Sequence, residues 1–438
     1  MAHILVIPYP APGHLLPTME LANQLSNRGL AITFVITPKI LPLLQPLRSV
    51  HPRVETLILP FPTHSAIPAG IENMQELPLS FIPSIISAFS QLYDPILQWF
   101  LSHPSPPVAI IDDLFFTCWT YPLACRLGIR RLVFAPSHAY TLDALWSSVS
   151  KKGDEVINDD KVDLVDHHDV LKADVNAYNI ASWGILLNSF PELDGEMLDH
   201  FKKNVLGHDR AWSIGPLFSF PVEISQKIST DNVMEWLDMC KEDNSVVYVG
   251  FGSQITLTGA QMEALADAID KSGVRFIWTV KEPMKGVQTG GTDDNSVVPT
   301  WFEDRTAGRG LVLRGWVPQA SILRHRAVGS YLTHCGWNST FEGLLSGVLL
   351  LAWPMQADHF HNAKLLIDKL GVAVRVCEGQ GTVPDPTELA KFLAESVGRS
   401  WPERARAVEL GRVALKSISS GGSSYMALDS LVKDLSAK

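Results

Sequence analysis

The amino-terminal strand–helix–strand pattern is the feature that most constrains the fold of this chain. Residues 3–8 form an apolar run typical of a buried strand, residues 15–28 have the spacing of an amphipathic helix, and residues 31–37 form a second strand-like run. Two strands connected through a helix pair in parallel, with a right-handed crossover. The chain is therefore predicted to have an α/β fold built on parallel sheets.

Similar patterns recur along the chain and divide it into two α/β domains. A chain of 438 residues with 46% hydrophobic content is long enough for two domains of roughly 200 residues each. We place an amino-terminal domain at residues 1–217, a linker at 218–229, a second domain at 230–420 and a carboxyl-terminal helix at 421–438. Further strands are predicted near residues 107–116, 185–190, 244–254, 274–280, 329–333 and 347–354.

Charge and cysteine content exclude several classes of function. The net charge of −10 argues against a surface for nucleic acid or for an anionic membrane. The five cysteines are odd in number and widely spread, which favours a reducing, cytoplasmic setting. The sequence opens without the features of a signal peptide, and no apolar run is long enough to span a bilayer. We therefore expect a cytoplasmic protein without an integral membrane segment.

A segment of the second domain carries the densest group of candidate ligand-binding residues. His334 is predicted at the end of a buried strand, and the residues after it lead into an apolar helix whose first N–H groups attract phosphate. With the Ser339 hydroxyl, this helix start can hold a diphosphate without a metal. Glu342, which we place on the first helical turn, can accept hydrogen bonds from a ribose diol. The alternative for Glu342 is a surface acid favoured by the helix dipole.

Two further candidates lie in the first domain. His14 is predicted in the loop between the first strand and the first helix. A lone loop histidine is usually structural, but an imidazole near a helix N-terminus tends to stay neutral, as a general base must. Asp112 and Asp113 end a buried strand at the sheet edge that His14 also faces, although either acid could instead cap the next helix. Because the G-x-G-x-x-G pattern is absent near Gly13, a dehydrogenase is disfavoured.

Two less regular regions support weaker interpretations. The stretch from residue 163 to 169 is rich in aspartate and histidine, but we expect a solvated loop, because no apolar element around it would fix metal-ligand geometry. Residues 51–107 are rich in proline and aromatic groups and could line a pocket for a flat hydrophobic acceptor. For any single aromatic residue there, ordinary core packing is the alternative.

The segment from Trp316 to His359 resembles the signature box of plant UDP-dependent glycosyltransferases of secondary metabolism. The motifs WVPQ and HCGWNS, the following Glu, and WP…AD all fall in register with that box. The resemblance covers nearly the whole chain. It implies a GT-B fold, in which two Rossmann-like domains face each other across a cleft, one for the acceptor and one for the UDP-sugar. It also implies that the carboxyl-terminal helix packs back on the first domain.

The same resemblance implies a role for each residue of the box. Trp316 would stack on the uracil ring, Val317 would offer backbone groups to the base edge, and Gln319 would approach the nucleoside. Glu342 would hold the ribose hydroxyls. The diphosphate would be bound by Ser253, His334, Asn338 and Ser339, and the sugar by Trp337, Asp358 and His359.

The resemblance also implies a mechanism. His14 would remove a proton from an acceptor hydroxyl, and Asp113, selected over Asp112 by the family's Asp-Leu-Phe pattern, would orient the imidazole. The anomeric carbon would invert, and neither a metal nor another cofactor would be needed. The expected partners are a UDP-sugar and an aromatic acceptor, with Phe81 and Phe116 as candidate pocket residues. We expect a monomer that binds no nucleic acid.

The end of the box bears on the sugar that is transferred. The family's usual last residue is Gln, whereas this chain has His359, which offers hydrogen bonds of a different shape. The Asp-His-Phe sequence, with residues 374–379, resembles the flavonol 7-O-rhamnosyltransferase branch and implies UDP-rhamnose and a flavonol 7-hydroxyl. UDP-galactose or UDP-glucose with another phenolic acceptor stays open, as do, more remotely, a sugar-nucleotide epimerase and a non-catalytic sensor.

Overall fold

The computed structural model describes residues 2–150, 175–218, 230–281, 297–315, 317–398 and 400–437. The chain divides into two compact units, one formed by residues 1–222 and 416–438 and the other by residues 223–415. Three predictions fall outside the described residues. They concern nearly all of the linker, the polar stretch at 163–169, and Trp316.

The first unit contains a parallel sheet with the strand order β3-β2-β1-β4-β5-β6-β7. The chain builds the sheet outward from β1 to β3 and then returns to place β4 on the other side of β1. The strands are β1 (His3–Ile7), β2 (Ala31–Ile36), β3 (Val54–Ile58), β4 (Ala109–Asp113), β5 (Arg130–Ala135), β6 (Gly184–Leu187) and β7 (Ala211–Ser213).

Helices connect these strands, as parallel pairing requires. They are α1 (Pro12–Asn27), α2 (Gln45–Val50), α3 (Ile82–Ser90), α4 (Tyr93–Ser102), α5 (Thr117–Leu127), α6 (Ala139–Ser150), α7 (Val175–Ile180) and α8 (Pro191–Phe201). Short 3₁₀ turns lie at Leu41–Leu44, Met74–Glu76 and Leu79–Phe81, and a π-helical turn follows α8 at Lys202–Leu206.

The second unit repeats this plan with the strand order β10-β9-β8-β11-β12-β13, again parallel throughout. Its strands are β8 (Val246–Gly250), β9 (Arg275–Val280), β10 (Gly310–Arg314), β11 (Val328–Thr333), β12 (Leu349–Ala352) and β13 (Ala373–Arg375). The predicted α/β class, with two parallel-sheet Rossmann-like units, is confirmed.

The helices of this second unit alternate with its strands. They are α9 (Thr230–Asp238), α10 (Gly259–Ser272), α11 (Phe302–Arg305), α12 (Gln319–Leu323), α13 (Trp337–Ser346), α14 (His359–Lys364), α15 (Pro386–Glu395) and α16 (Pro402–Ile418), with a π-helical turn at Leu365–Lys369. Helix α10 begins with a capping box, in which Thr258 and Gln261 satisfy each other's backbone N–H groups. The last three residues of α16 belong to the first unit.

The last helix, α17 (Ser423–Ser436), is part of the first unit. Its residues Leu428, Leu431 and Leu435 are at most 3% exposed and belong to the same core as β1, β2 and α1. Arg28, the C-cap residue of α1, donates a hydrogen bond of 2.7 Å to Asp429 at the edge of this contact. The core of the first unit is therefore built from both ends of the sequence.

Three general features bear on partners and location. All five cysteines carry free thiols. Among the helices in the described ranges, none is long and apolar enough to cross a membrane. In the same part of the chain, no group of three or more His, Cys, Asp or Glu side chains is arranged to hold a metal ion.

We predict that Leu431→Ala destabilises the first unit, because the removed side chain is fully buried in its core. A loss of about 2–5 kcal/mol in the free energy of unfolding is expected for such a substitution. Denaturant unfolding followed by circular dichroism measures the change. The matched control is Met426→Ala on the same helix, where the side chain is 57% exposed and a change within about 0.5 kcal/mol is expected. Equal effects of the two substitutions would show that α17 does not contribute to this core.

Candidate active site

The candidate residues of each unit lie at the point where its strand order reverses. In the first unit this point lies between β1 and β4, and in the second it lies between β8 and β11. Connections leave these neighbouring strands in opposite directions, so a crevice forms outside their carboxyl ends, where open α/β sheets bind ligands. His14 follows β1 and Asp113 ends β4, while Gly252 follows β8 and His334 follows β11.

Helix α1 begins earlier than predicted. Pro12 is its first residue, a position where proline is favoured because its φ angle suits a helix and its missing N–H has no partner to lose. His14 therefore lies in the first helical turn, which corrects its prediction as a loop residue. The imidazole therefore lies at the positive end of the helix dipole, as the sequence predicted.

His14 and Asp113 form a hydrogen bond of 2.6 Å between Nδ1 of the imidazole and Oδ2 of the carboxylate. The side chain of Asp113 is fully buried, and that of His14 is 22% exposed. The second carboxylate oxygen of Asp113 accepts the backbone N–H of Phe115 at 3.0 Å, so the acid is held at both oxygens. Because a carboxylate only accepts hydrogen bonds, Nδ1 carries the proton, and Nε2 is the basic nitrogen of the neutral ring.

Asp112 has a different environment from its neighbour. Its Oδ2 accepts a hydrogen bond of 2.7 Å from Nη2 of Arg131, and both side chains are almost completely buried. Burial raises the pKa of Asp112, while the guanidinium and the Thr120 hydroxyl oppose that rise. The N-cap of α5 is Phe116, so neither acid caps that helix as the alternative proposed. Of the two acids, Asp113 is the one in contact with His14.

Aromatic rings surround the His14–Asp113 pair. The rings of Tyr9 and Phe115 each lie 5.3 Å from the imidazole, centre to centre. Phe116 was predicted to line an acceptor pocket, but its side chain is fully buried and stacks on Phe89 at 4.8 Å. That prediction is wrong, because Phe116 has no surface to offer a ligand. Phe81 is half-buried at the edge of the same apolar cluster and keeps a surface that a ligand could contact.

In the second unit, His334 occupies a space left by two glycines. A Cβ atom at Gly252 would lie 2.6 Å from Cε1 of the ring, and one at Gly336 would lie 2.3 Å from Nε2. Gly336 is the N-cap of α13, and the preceding Cys335 has a positive φ of 65°. Burial lowers the pKa of His334 well below its ordinary value, and the neighbouring His359 lowers it further. His334 is therefore a neutral ring at a helix N-terminus.

Glu342 lies in the second turn of α13, which corrects its prediction in the first turn. It is half-buried rather than exposed, so it is not a surface acid. Gln319 donates hydrogen bonds from Nε2 to Glu342 Oε2 at 2.5 Å and to Ser339 Oγ at 3.3 Å. Burial raises the pKa of the Glu342 carboxyl, and the hydrogen bond from Gln319 opposes this rise.

The end of the box joins the environment of His334. The ring of His359 meets the ring of His334 edge to face, with 4.8 Å between centres. The backbone N–H of Gln356 donates to Nδ1 of His359 at 3.3 Å, which assigns the proton of the neutral ring to Nε2. Burial lowers the pKa of His359, although Asp358 acts in the opposite direction.

Asn362 is a site residue that was not predicted. It is fully buried, and its Nδ2 donates to Asp358 Oδ2 at 2.8 Å and to the backbone oxygen of Cys335 at 2.9 Å. It thereby connects the start of α14 to the loop that holds His334. The signal in the sequence is its spacing of four residues from Asp358, which brings two helical side chains together.

The remaining predicted residues have the following positions. Trp337, the first residue of α13, is 3% exposed, and its ring packs on Phe341 with 4.6 Å between centres. Its ring therefore belongs to the core. Any contact of Trp337 with a sugar would have to come from its backbone at the start of α13. Asn338 is half-buried in the next position, Ser253 is half-buried in the turn after β8, and Val317 is 8% exposed beside the start of α12.

Comparisons with known proteins agree with this arrangement. Residues 216–388 match the family model for UDP-glucuronosyl and UDP-glucosyl transferases. A flavonol 3-O-glucosyltransferase of Arabidopsis thaliana is 45% identical, in an alignment covering 98% of this chain and 95% of that protein. A flavonol 7-O-rhamnosyltransferase of Arabidopsis thaliana is 43% identical, over 99% and 98% respectively. The crystal structure of Arabidopsis thaliana UGT89C1 complexed with UDP-L-rhamnose superposes with a TM-score of 0.87, at 43% identity and 99% coverage of both chains.

We predict that His334 titrates below the ordinary pKa of a histidine, near 6.5, because burial lowers its pKa. In the unfolded chain the same residue binds a proton below about pH 6.5. The free energy of unfolding is therefore unaffected by this residue above that pH and decreases as the pH falls below it. Long-range ¹H–¹⁵N NMR spectra, assigned with His334→Gln, measure the protonation state. A titration midpoint at or above 6.5 would contradict the prediction.

Proposed function

Since the chain belongs to the UDP-glucuronosyl and UDP-glucosyl transferase family and is a UDP-glycosyltransferase, we propose that it transfers rhamnose from UDP-rhamnose to a flavonol, at the 7-hydroxyl. The acceptor class is supported by the two relatives of 45% and 43% identity, both of which are named as flavonol transferases. The catalytic assignment depends chiefly on one observation, the hydrogen bond of 2.6 Å between His14 and the buried Asp113.

His14 is the proposed general base. With its proton on Nδ1 and directed at Asp113, the ring presents Nε2 to an acceptor hydroxyl. Proton transfer to Nε2 makes the oxygen nucleophilic as it attacks the anomeric carbon, and the imidazolium that forms is stabilised by the carboxylate. Attack from the side opposite to UDP inverts the configuration at that carbon.

The second unit is proposed to bind UDP and to stabilise it as the leaving group. The N-terminus of α13 favours an anion, Ser253 and Ser339 offer hydroxyls, and the neutral His334 can donate one N–H. Glu342, held by Gln319, is the proposed acceptor for the ribose hydroxyls. We propose that these groups compensate the charge on the diphosphate without a metal or another cofactor, and that the enzyme acts as a monomer. The five free thiols support a cytoplasmic location.

The choice of rhamnose depends on His359. The family's usual glutamine can donate and accept with one amide, whereas this imidazole accepts at Nδ1 from Gln356 and keeps a single donor at Nε2. Rhamnose has a methyl group where glucose has a hydroxymethyl group, so it presents one hydroxyl fewer for recognition. The UDP-L-rhamnose complex of the similar Arabidopsis thaliana UGT89C1 is consistent with this donor.

UDP-glucose is the second candidate donor. This donor is supported by the similarity to the flavonol 3-O-glucosyltransferase of Arabidopsis thaliana, which is 45% identical to this chain. UDP-galactose, with another phenolic acceptor, is a third. Because the box is shared by users of different sugars, the UDP-binding residues do not distinguish these donors.

We predict that His14→Ala lowers kcat/KM for sugar transfer by about 10²- to 10⁴-fold, because the general base is lost. The affinity for UDP should change less than about twofold, since the proposed UDP site belongs to the other unit. A transfer assay with a flavonol and isothermal titration with UDP measure both effects. The matched control is His200→Ala, which removes a 53% exposed histidine also near an aspartate, 3.5 Å away. Undiminished transfer by His14→Ala would refute the base assignment, and no transfer by the unmodified protein would favour a sensor.

We predict that the unmodified protein transfers rhamnose faster than glucose or galactose when the three UDP-sugars compete for one flavonol. His359→Gln should shift this preference toward a hexose by about tenfold, a difference of one hydrogen bond, while UDP affinity is retained. Mass spectrometry and NMR of the product identify the sugar and the hydroxyl. Transfer of hexose alone would refute the rhamnose assignment, and an equal loss for all donors in His359→Gln would refute its role in sugar choice.

A further inference from the structure

Two buried tyrosines lie beneath the proposed ribose site without a role in the mechanism above. Tyr248 and Tyr331 are paired residues on the neighbouring strands β8 and β11. Their rings are 5.0 Å apart in an edge-to-face arrangement, and neither side chain is exposed to solvent. Both hydroxyls are 3.1 Å from the same atom, Oε1 of Gln319. Two phenol groups are thus directed at one amide oxygen.

This arrangement determines which way the Gln319 amide points. An amide oxygen accepts two hydrogen bonds, and here Tyr248 and Tyr331 supply both; the other acceptor near Tyr248, Oγ1 of Thr279, is farther from its hydroxyl, at 3.4 Å against 3.1 Å. The NH₂ group must then point the other way, where it donates to Ser339 and Glu342. With the amide reversed, its oxygen would face the Glu342 carboxylate with no proton between them, and the carboxylate would lose its donor.

The orientation of Gln319 in turn determines the position of Glu342. The short bond of 2.5 Å holds Oε2 of the carboxylate on the Gln319 side. The same bond favours the ionised form, in opposition to burial, which raises the pKa of the carboxyl. Oε1 is then the oxygen that a ribose hydroxyl can approach. A ribose diol needs an acceptor that is both ionised and fixed in place.

We propose that Tyr248 and Tyr331 are positioning residues, which orient Gln319 and through it hold Glu342 as the group that recognises the ribose. This inference rests on the proposed function, because it assumes that Glu342 binds the ribose of UDP. The tyrosines do not touch the ligand in this arrangement. Their effect should therefore be larger on the ribose hydroxyls, which Glu342 accepts, than on the diphosphate, because the bond from Gln319 to Ser339 is longer, 3.3 Å against 2.5 Å.

The test compares UDP with 2′-deoxy-UDP, which lacks one ribose hydroxyl. Isothermal titration of the full chain gives the ratio of the two Kd values. For the unmodified protein we expect 2′-deoxy-UDP to bind at least about tenfold more weakly, the effect of one hydrogen bond to a charged group. In Tyr248→Phe and Tyr331→Phe, which keep the ring and remove only the hydroxyl, we expect the ratio to fall to about threefold or less. The loss should appear in UDP binding, with little change for 2′-deoxy-UDP.

Two control variants separate positioning from general damage. Tyr178→Phe alters a tyrosine of the first unit that stacks on Tyr121, and it should leave the ratio unchanged. In a Gln319→Met background the tyrosine substitutions should have no further effect, because the amide that transmits their influence is gone. Thermal unfolding of each variant checks that the fold is retained.

The outcomes distinguish this inference from the function on which it rests. If the unmodified protein does not bind UDP, the proposed function is wrong and the inference falls with it. If it binds both nucleotides equally, the ribose role of Glu342 is wrong. If it discriminates but either tyrosine variant keeps the full ratio, or weakens both nucleotides equally, the positioning role is refuted while the proposed function stands.

Discussion

Two adjacent buried carboxylates at the end of β4 impose the main constraint on the first unit. Successive side chains of a strand point to opposite faces of the sheet, so Asp112 and Asp113 need separate partners. Asp112 is compensated by Arg131 from the neighbouring strand, and Asp113 by His14 and a backbone N–H. An unpaired buried charge is strongly destabilising, so the residues packed around each acid have to provide it with a partner. The pair on one face supports the sheet, and the pair on the other performs the proposed chemistry.

In the second unit, the main constraint is steric, whereas in the first unit it is electrostatic. The φ of Gly336 is −62°, which any residue can adopt, so glycine is needed there only because the His334 ring fills the place of a side chain. Gly252 is restricted twice, by the same ring and by its φ of +70°. Both units therefore place an imidazole at the reversal of the strand order: His14, the proposed base, and His334, which is buried and has a lowered pKa.

Local patterns were sufficient to predict the fold class and the central strands, because these strands are apolar on both faces. They did not reveal β3, which is half-exposed and interrupted by Glu55, or β5, which begins with Arg130 and Arg131. For the site, His14 and Asp113 were predicted to lie close together because both follow or end strands at the carboxyl edge of the same parallel sheet. The partners of Gln319 could not be predicted, because they come from elements up to 71 residues away. The resemblance to a family indicated which residues would bind UDP. The contact of Tyr248 and Tyr331 with Gln319 is visible only in the three-dimensional structure.

The position of α17 in the sequence has a consequence for biosynthesis. The hydrogen bond between Arg28 and Asp429 joins residues 401 positions apart, and the leucines of α17 complete a core that otherwise comes from the first half of the chain. On the ribosome, where domains fold as they emerge, the second unit can become compact while the first still exposes the apolar surface that α17 will cover. The first unit therefore cannot complete its core until α17, which is translated after the second unit, has been made.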